Sequence, residues 1–400
     1  MKMKFELFCA ICGVLICVFT IMSKGYADDR RGVTGDTLTI GAILDQTGPA
    51  ADGIAPATHA ARNIFRYANE HGGINGRKVK LIVEDDRYAI PPAIAAFKKL
   101  LYRDKVLALI GPTSSGATNI LFRHIEKENI PTIAVPPNEK TISPVKRYIF
   151  GVFEIYPNGM RAIIDYMMDL KPRDPRVALV YPDNETGKLD LGPAIERLKF
   201  HKLTPITKEV LNPGSLDATS QVMSMKRHKV NNIVLCGFTT QPAVVLLREL
   251  KKFGMDIHVF GNIAAVGDEV IHVAGSAAEK FYGVACWASW YDEGEGVAFM
   301  RKVTLQYAPG TEKPYRGKYY SGLWTYTTVL KEGLLRAGRD IDGERLVTAL
   351  ESIKDFDMKG LSGPVNFSSS NHKGLNSVKV FKADPSSGKF VPVTGWKISK

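Results

Sequence analysis

The sequence predicts an α/β protein with two doubly wound domains, each a parallel sheet covered by helices on both faces. Its 400 residues exceed the roughly 250–300 at which a single hydrophobic core stops growing, which favours two domains. Short apolar runs alternate with longer amphipathic stretches, as expected for strand–helix–strand units. The alternation occurs twice, over residues 37–150 and 176–286, so each of these regions is predicted to form one sheet.

The strands are predicted from short runs of mainly apolar residues, and the helices from apolar residues at helical spacing. The predicted strands are residues 38–44, 79–84, 108–110, 132–135, 148–150, 177–181, 233–236, 257–260 and 282–286. Between them, one helical face is formed by Ala57, Ala60, Ile64 and Ala68, another by Ala117, Ile120, Leu121 and Ile125, and a third by Val244, Leu247 and Leu250.

A third region begins near Trp287 and has a different pattern. Its helical patterns cover residues 297–307, 323–337 and 345–352, and two β-like segments follow at 378–381 and 390–393. The residues DPSSG at 384–388 predict a turn between these last two segments. The pattern alone does not assign this region to either domain.

The first 27 residues are predicted to be a signal peptide that is removed from the exported protein. Lys2 and Lys4 give a positive start, and an almost unbroken apolar run covers residues 7–22. Gly25 and Ala27 are small residues of the kind that signal peptidase requires, so cleavage is expected after about Ala27. The run is shorter than the roughly 20 residues that cross a bilayer, although an uncleaved anchor remains an alternative. We expect a periplasmic location.

Two cysteines remain after the predicted cleavage, Cys236 and Cys286, and each belongs to an apolar run that predicts a strand. The predicted strand at 257–260 falls between them, and would hold the two Cys strands about 10 Å apart if the three are neighbours. A disulfide requires Cα atoms within about 7 Å. Both cysteines are therefore expected to be buried free thiols with a packing role.

Several function classes lack their sequence signals. The net charge is +12, but no run of like charges forms a basic patch, which argues against nucleic-acid binding. The first strand is followed by DQTGP at 45–49 and not by the glycine pattern of dinucleotide-binding enzymes. Ala117 occupies the position of the lysine in a phosphate-binding loop, and the sequence has neither a serine-hydrolase elbow nor paired metal-ligand spacing. We therefore predict no catalytic residue, no cofactor and no metal.

The segment GPTSSGAT at residues 111–118 joins a predicted strand to a helix that begins near Gly116. Backbone N–H groups at such a helix start, together with the hydroxyls of Ser114 and Ser115, can bind a group the size of a carboxylate. The alternative is that Thr113, Ser114 and Ser115 only cap the helix. The two interpretations are compatible, since different residues can serve each purpose.

Several segments together are typical of one protein family. The most specific is NEHGGINGR at residues 69–77, followed by EDD at 84–86. Supporting segments are TGP at 47–49, GPTSS at 111–115, LR at 247–248 with Gly254, AAE at 277–279 and GPVNF at 363–367. With these segments in shared order, the chain resembles the type I periplasmic solute-binding proteins, specifically the branched-chain amino-acid-binding group of ABC importers.

The resemblance implies two α/β lobes, joined by a hinge of three crossovers, that close over a ligand in the cleft. Lobe 1 would comprise residues 28–152, completed by about 287–372, and lobe 2 residues 153–286, completed by about 373–400. The implied function is non-enzymatic, with a small amino acid or organic acid as ligand and the membrane permease subunits of an importer as partners. We expect a monomer without a nucleic-acid partner. A ligand-sensing receptor of the same fold is the alternative, and an exported enzyme is a further one.

The resemblance also assigns candidate ligand-binding residues in lobe 1. Ser115 stands where the hydroxyl of the family's serine meets the ligand carboxylate, and Ser114 precedes it in the same loop. Pro136 and Asn138 belong to the next loop, which helps to hold the carboxylate and the ammonium. Pro136 offers a carbonyl acceptor, and Asn138 offers its N–H and its side chain.

The candidate residues in lobe 2 depart from the family pattern. Thr186 and Thr239 stand at positions of Tyr, as does Gly53 in lobe 1, which would leave space for a bulkier ligand. Ile263 stands where an acidic residue would pair with the ligand ammonium, unless the alignment slips by a few residues. Burying an ammonium without its partner costs several kcal/mol. We therefore expect an acid that lacks the amine, or an amide or aromatic acid. Aromatic residues that could line this pocket, or belong to the core, are Tyr156, Phe238, Trp287, Trp290 and Tyr320.

Overall fold

The computed structural model describes residues 30–136, 138–237, 240–308 and 316–398, apart from the side chain of Glu185. The predicted signal peptide, Phe238 and Thr239 lie outside the described residues. Within the described ranges, no helix has both the length and the apolar character needed to cross a membrane. The fold consists of two sheets of mainly parallel strands connected by helices, as the alternating sequence pattern predicts.

The first sheet has five parallel strands in the order β2-β1-β3-β4-β5. Its strands are β1 (Thr37–Leu44), β2 (Lys78–Asp85), β3 (Ala108–Ile110), β4 (Thr132–Ala134) and β5 (Ile149–Gly151). Its helices are α1 (Ala51–Glu70), α2 (Ile90–Lys98), α3 (Ser115–Lys127) and α4 (Glu139–Ile142). The strand order reverses between β1 and β3, and the loops that follow these strands leave a crevice where ligands of such sheets bind.

The second sheet repeats this order with β7-β6-β8-β9-β10 and continues into antiparallel strands β11 and β12. Its strands are β6 (Val177–Tyr181), β7 (Thr207–Val210), β8 (Asn232–Leu235), β9 (His258–Gly261), β10 (Phe281–Ala285), β11 (Ser377–Asp384) and β12 (Lys389–Pro392), with β13 (Lys397–Ile398) paired to β11. Its helices are α5 (Tyr156–Asp169), α6 (Glu185–Phe200), α7 (Thr219–Arg227), α8 (Thr240–Lys252) and α9 (Asp268–Ala274).

Both faces of the second sheet are buried. In β6, Leu179 packs into one apolar cluster and its neighbour Val180 into another, and Val234 and Ile233 divide in the same way in β8. Successive side chains of a strand point to opposite faces, so the two clusters lie on opposite sides of the sheet. Fully buried strands of this kind explain why the sequence shows continuous apolar runs in place of alternation.

Three further helices complete the described fold: α10 (Glu295–Tyr307), α11 (Lys318–Arg336) and α12 (Gly343–Glu351). Helix α11 packs on α1, where Asn63 Nδ2 donates to Tyr320 Oη at 3.0 Å. Asn75 Nδ2 likewise donates to the carbonyl of Leu334 at 3.0 Å. We call the first sheet with α1–α4 and α10–α12 the first lobe, and the second sheet with α5–α9 the second lobe. The exact limits of the lobes stay a prediction.

Three segments cross between the lobes, as the resemblance implies. They follow β5, follow β10 and precede β11. The first and third are joined because Gly151 N donates to His372 O at 2.9 Å and Gly374 N donates to Gly151 O at 2.7 Å. The second is attached to the first through the indole of Trp287, whose Nε1 donates to Val152 O at 3.1 Å. The three crossovers therefore form one continuous hinge.

A buried ion pair links the first and third crossovers. Lys373 Nζ lies 2.7 Å from Glu154 Oε1, and the Glu154 side chain is fully buried. The same oxygen accepts from Ile155 N and from Asn158 Nδ2. Cys286 of the second crossover lies beside this pair, and burial raises the pKa of its thiol to about 12.

The predicted state of the cysteines is confirmed: Cys236 and Cys286 are free and buried, and β9 separates their strands. Burial raises the pKa of the Cys236 thiol well above its usual value. The nine predicted strands all occur, with ends that differ by at most one residue. The pattern did not predict β7, because three of its four residues TKEV are polar and they alternate between partly buried and exposed at the sheet edge.

Candidate functional site

The candidate site lies in the cleft where the two lobes meet. Lys318, the first residue of α11 in the first lobe, donates from Nζ to the carbonyls of Ile263, at 3.3 Å, and Ala264 in the second lobe. Tyr156, at the start of α5, lies close to Tyr319 and Tyr88 of the first lobe. Its pKa is raised well above the usual value, mainly by burial and further by these two neighbouring tyrosines. The loops after the strands of the two lobes therefore face a common space.

The first-lobe face contains the start of helix α3. Ser114 is its N-cap, and Ser114 Oγ accepts from Ala117 N at 3.1 Å. The first N–H groups of a helix have no partner within it, and those of Ser115 and Gly116 are bonded to no other described residue. Ser115 is partly exposed, and its hydroxyl is likewise without a described partner. Capping thus involves Ser114, whereas ligand binding by Ser114 and Ser115 stays a prediction.

The loop before α3 is held by the carboxylate of Asp86 and by the backbone of Asp45, two buried acids to which the sequence analysis gave no role in the site. Asp86 Oδ2 accepts from Thr113 N at 2.8 Å, and Thr113 Oγ1 accepts from Asp45 N at 2.8 Å. Asp45 in turn accepts from the N–H groups of Gly48 and Ala50. Carboxylate oxygens of Asp45, Asp85 and Asp86 lie within 4.8 Å of one another. Because they accept backbone N–H bonds, we assign them to the support of the loops.

The loop after β4 leaves one polar atom unbonded. Asn138 is 2% exposed, and its Oδ1 accepts from Lys140 N at 3.0 Å, but its buried Nδ2 has no hydrogen-bond partner. Asn138 N donates to the carbonyl of Pro136 at 2.8 Å, so the backbone groups expected to meet a ligand bond to each other. Since β3 and β4 are neighbours, Asn138 lies near the start of α3. A buried donor without a partner is costly, which makes the Asn138 amide a candidate ligand contact.

The second-lobe face is organised by Asn262 and Asp190. Asn262 Oδ1 accepts from Ile263 N at 2.8 Å, and its Nδ2 donates to Asp190 Oδ1 and to Tyr156 O, both at 2.9 Å. Asp190 Oδ2 accepts from Gly237 N at 2.7 Å. Burial raises the pKa of Asp190 to about 7, against the effect of its bonds from Asn262 and Gly237. This network fixes the loops after β8 and β9.

The predicted second-lobe residues occupy the same face. Ile263 is 2% exposed, and its N–H donates to Asn262. Asn262 in turn bonds to the carboxylate of Asp190, whose two oxygens both already accept hydrogen bonds. Thr186 lies in the first turn of α6, in contact with Gly237 of the neighbouring loop. Thr239 lies outside the described residues, so its position stays a prediction. In the sequence, Asp190 is marked only by its position between Leu189 and Leu191, which belong to helix α6. This position could have indicated a buried acid.

Lys318 and Tyr319, the first two residues of α11, were not predicted from the sequence to belong to the site. The Tyr319 ring lies over Gly53, where an added Cβ would come within 2.6 Å of it, so this ring fills the space expected to be open. Burial lowers the pKa of Lys318 to about 8, and the carboxylate of Glu269 partly opposes this. The first turn of a helix usually favours negative side chains, so a lysine at this position is unusual. That feature of the sequence could have identified Lys318 as a candidate.

The predicted pocket aromatics divide between cleft and core. Tyr156 lies at the cleft. Tyr320 is buried and bonded to Asn63 and Thr304, and Trp290 packs edge-on against it. Trp287 belongs to the hinge. Three of the proposed aromatics thus have structural contacts that account for them.

A family profile and the similar proteins of known name both describe binding proteins. A family profile described as "Periplasmic binding protein" matches residues 37–389. The Leu/Ile/Val-binding protein BraC3 of Rhizobium johnstonii is 25% identical over 331 residues, 80% of this chain and 84% of that protein. A leucine-, isoleucine-, valine-, threonine- and alanine-binding protein of Pseudomonas aeruginosa is 21% identical over 80% of this chain and 83% of its own. A chemotactic signal transduction substrate-binding protein, BasB of Halobacterium salinarum, is 35% identical over 91 residues, 22% of each chain.

Solved structures show the same fold. A branched-chain amino acid ABC transporter protein from Thermus thermophilus with bound valine gives a TM-score of 0.81 at 23% identity, covering 91% of this chain and 96% of that one. A fatty acid ABC transporter substrate-binding protein from Thermomonospora curvata gives 0.79 at 21% identity, covering 93% and 95%.

Proposed function

Because this chain belongs to the periplasmic binding protein family, we propose that it is the extracytoplasmic solute-binding component of an ABC importer of the branched-chain amino-acid type. It would act in the periplasm after removal of residues 1–27, as a monomer, and deliver its ligand to membrane permease subunits. The function is binding and release without chemical change. The observation that carries the proposal is the set of unbonded donors at the start of α3, which faces the cleft between two hinged lobes.

The ligand of this proposal carries a carboxylate. The N–H groups of Ser115 and Gly116, the Ser115 hydroxyl and Asn138 Nδ2 are all donors, and the positive end of the helix dipole adds to their effect. An anion is the natural partner of such a group. Hydrogen bonds to a charged group contribute about 1.5–3 kcal/mol each, enough to orient a small ligand. Pro136 and Ser114 would border the same subsite.

The second lobe would complete the pocket when the cleft closes. Ile263, Thr186 and Thr239 would contact the part of the ligand that distinguishes one acid from another. With Ile263 in place of an acid, and with both oxygens of Asp190 bonded to Gly237 and Asn262, Asp190 would not be free to pair with a ligand ammonium. We therefore favour an acid without the amine. The amino acids for which one relative is named and the fatty acids for which a structural neighbour is named have a carboxylate in common, but not the amine.

Movement at the hinge would give the ligand-bound protein a closed shape that the permease recognises. Closure brings Ile263 and Ala264 against Lys318, and burial of the ligand between the lobes is a hinge-type transition. A sensory role is the second candidate, favoured by the match to a chemotactic substrate-binding protein. It would use the same cleft, with a receptor in place of the permease.

The test is to identify the ligand. Native mass spectrometry of gently purified protein should reveal a co-purified acid, and a thermal-shift panel should compare leucine with isovalerate, aromatic acids and short amides. A true ligand at about 100 times its Kd should add about 2.7 kcal/mol of stability. If leucine alone stabilises the protein, the preference for amine-free acids is wrong. A ligand found outside the cleft, or chemically converted in it, would contradict the proposed function.

A further inference from the structure

Lys318 places a cation at the closing edge of the cleft. Its side chain extends from α11 in the first lobe to the short 3-10 segment Ile263–Ala265 of the second lobe, where Nζ donates to two backbone carbonyls. An ammonium has three N–H groups. The third is bonded to no described residue, so one donor remains available at the boundary between the lobes.

No described carboxylate forms an ion pair with Lys318. Two other largely buried lysines are paired: Lys373 with Glu154 at 2.7 Å, and Lys379 with Asp292 at 2.8 Å. Lys318 instead has carbonyl oxygens and, 5.0 Å away, the ring of Tyr319. The carboxylate of Glu269 acts on Lys318 as a counter-charge, since it opposes the effect of burial on the Lys318 pKa. An anion that enters the closed cleft would add a directly bonded partner for the remaining N–H group of this buried ammonium.

Lys318 places a positive charge beside Ile263, where the family resemblance implies a negative one. Lys318 bonds the carbonyl of Ile263, the residue at which the family pattern expects an acid for a ligand ammonium. An ammonium at that place repels a ligand ammonium and attracts an anionic group. Like-charge juxtaposition is an established means of rejecting a wrong ligand.

Resting on the proposed function, we propose that Lys318 binds a second acidic group of the ligand, so that the cleft selects small dicarboxylates. One carboxylate would bind at the α3 start with Ser115 and Asn138, and the other at Lys318. The side chains of Tyr88, Tyr156 and Tyr319 are close to one another, and Tyr88 is also close to Asp86, which holds the loop before α3. They would contact the spacer.

A matched ligand series tests this inference. Isothermal titration calorimetry would compare dicarboxylates of four to eight carbons with monocarboxylates and ω-amino acids of the same lengths. We expect at least one dicarboxylate to bind ten times or more tighter than its monocarboxylate, and the ω-amino acid to bind more weakly than both. Equal affinity for the mono- and dicarboxylate would overturn the inference and leave the proposed function standing. Failure of every acid to bind would contradict the proposed function itself.

Variants separate a charge effect from a folding effect. Lys318→Met keeps most of the length of the side chain and should remove the tenfold advantage of the dicarboxylate, while both ligands share the smaller loss caused by removal of the two bonds between the lobes. Lys331→Met is the control, because Lys331 lies on the same helix but faces a groove beside Tyr67 and Phe299. Equal loss for mono- and dicarboxylates in Lys318→Met would assign Lys318 to lobe closure alone and overturn its role in selection.

The pH dependence provides a second readout. Burial lowers the pKa of Lys318 to about 8, with Glu269 acting in the opposite direction, and Tyr319, Tyr88 and Asp268 are the other titratable groups nearby. Only the protonated amine pairs with the second carboxylate. Dicarboxylate affinity should therefore fall by up to tenfold per pH unit above about 8, a loss absent for the monocarboxylate and in Lys318→Met. An unchanged dicarboxylate affinity up to pH 9.5 would contradict the inference.

Discussion

The two faces of the cleft differ in how their polar groups are bonded. On the first-lobe face, the N–H groups of Ser115 and Gly116 and the Nδ2 atom of Asn138 have no described partner. On the second-lobe face, Asp190 and Asn262 bond to each other and to the backbone of neighbouring loops. The first face therefore has donors that the proposed ligand could bond, whereas the described polar groups of the second face bond one another and stabilise its loops.

This difference suggests an order of events. A ligand with a carboxylate would bind first to the unbonded donors of the first lobe, and the second lobe would then close as a preformed surface. Preorganised loops lose less conformational entropy on closure, which favours affinity. Substitutions on the first face should therefore affect binding, and those in the second-lobe network should affect stability.

The largest expected effect is the loss of affinity in Asn138→Asp. The substitution keeps Oδ1 as the acceptor for Lys140 N but replaces the unbonded Nδ2 donor with a carboxylate oxygen that faces the ligand anion. We expect affinity for the ligand to fall by about 100-fold or more, roughly 3 kcal/mol, by calorimetric titration. Asn184→Asp at the N-cap of α6 is the matched control and should retain affinity. If both variants bind equally, Asn138 does not contact an anion.

Next in size is the loss of stability in Asp190→Ala. Removal of the carboxylate leaves Gly237 N without its partner and deprives Asn262 of one of two acceptors in a buried site. The free energy of unfolding in urea should fall by about 2 kcal/mol. Asp183→Ala removes a surface ion pair with Lys188 and should change it by less than about 0.5 kcal/mol. Equal values for the two variants would show that the network does not support the second face.

Two adjacent serines offer a smaller but sharper test. Ser114→Ala removes the cap of α3 and should lower the unfolding free energy by about 1 kcal/mol. Ser115→Ala should leave stability nearly unchanged and weaken ligand binding by about fivefold or more, since a hydrogen bond to a charged group is lost. Thermal unfolding and titration of both variants distinguish the effects. The reverse pattern would show that the two serines have exchanged roles.

The smallest expected effect is a pH slope. The pKa of Asp190 is raised to about 7 by burial, so between about pH 4 and 7 the folded protein holds a proton that the unfolded chain has lost. This contribution to stability is complete below about pH 4 and is lost progressively as the pH rises from about 4 to about 7. Unfolding free energy should fall by about 0.4 kcal/mol from pH 6.5 to 7.0, and this slope should be absent in Asp190→Ala. An identical slope in both proteins would assign the titration to another group.

The sequence was informative where structure depends on local pattern. Strand positions could be predicted to within one residue because buried parallel strands are continuous apolar runs. The edge strand β7 has no such run and was missed. Ser114 and Ser115 could be placed at a helix start for the same local reason.

The remaining site residues depend on contacts between distant parts of the chain. Asp190 and Asn262 are 72 positions apart, and neither carries a motif. Lys318 reaches a carbonyl 54 positions earlier in the other lobe. Such pairs arise only when two sheets are placed beside each other, so residue spacing does not reveal them. The family resemblance located Ile263 but not the cation beside it.

The Glu154–Lys373 pair has a mechanical consequence for the hinge. Separating these two side chains would leave a charge buried and unpaired, a penalty of about 3–5 kcal/mol. Inter-lobe movement that keeps them in contact is much less costly. Because the pair ties the first crossover to the third, the rotation axis should pass close to it. The lobes would then swing about a fixed pivot, and their displacement would grow with distance from Glu154.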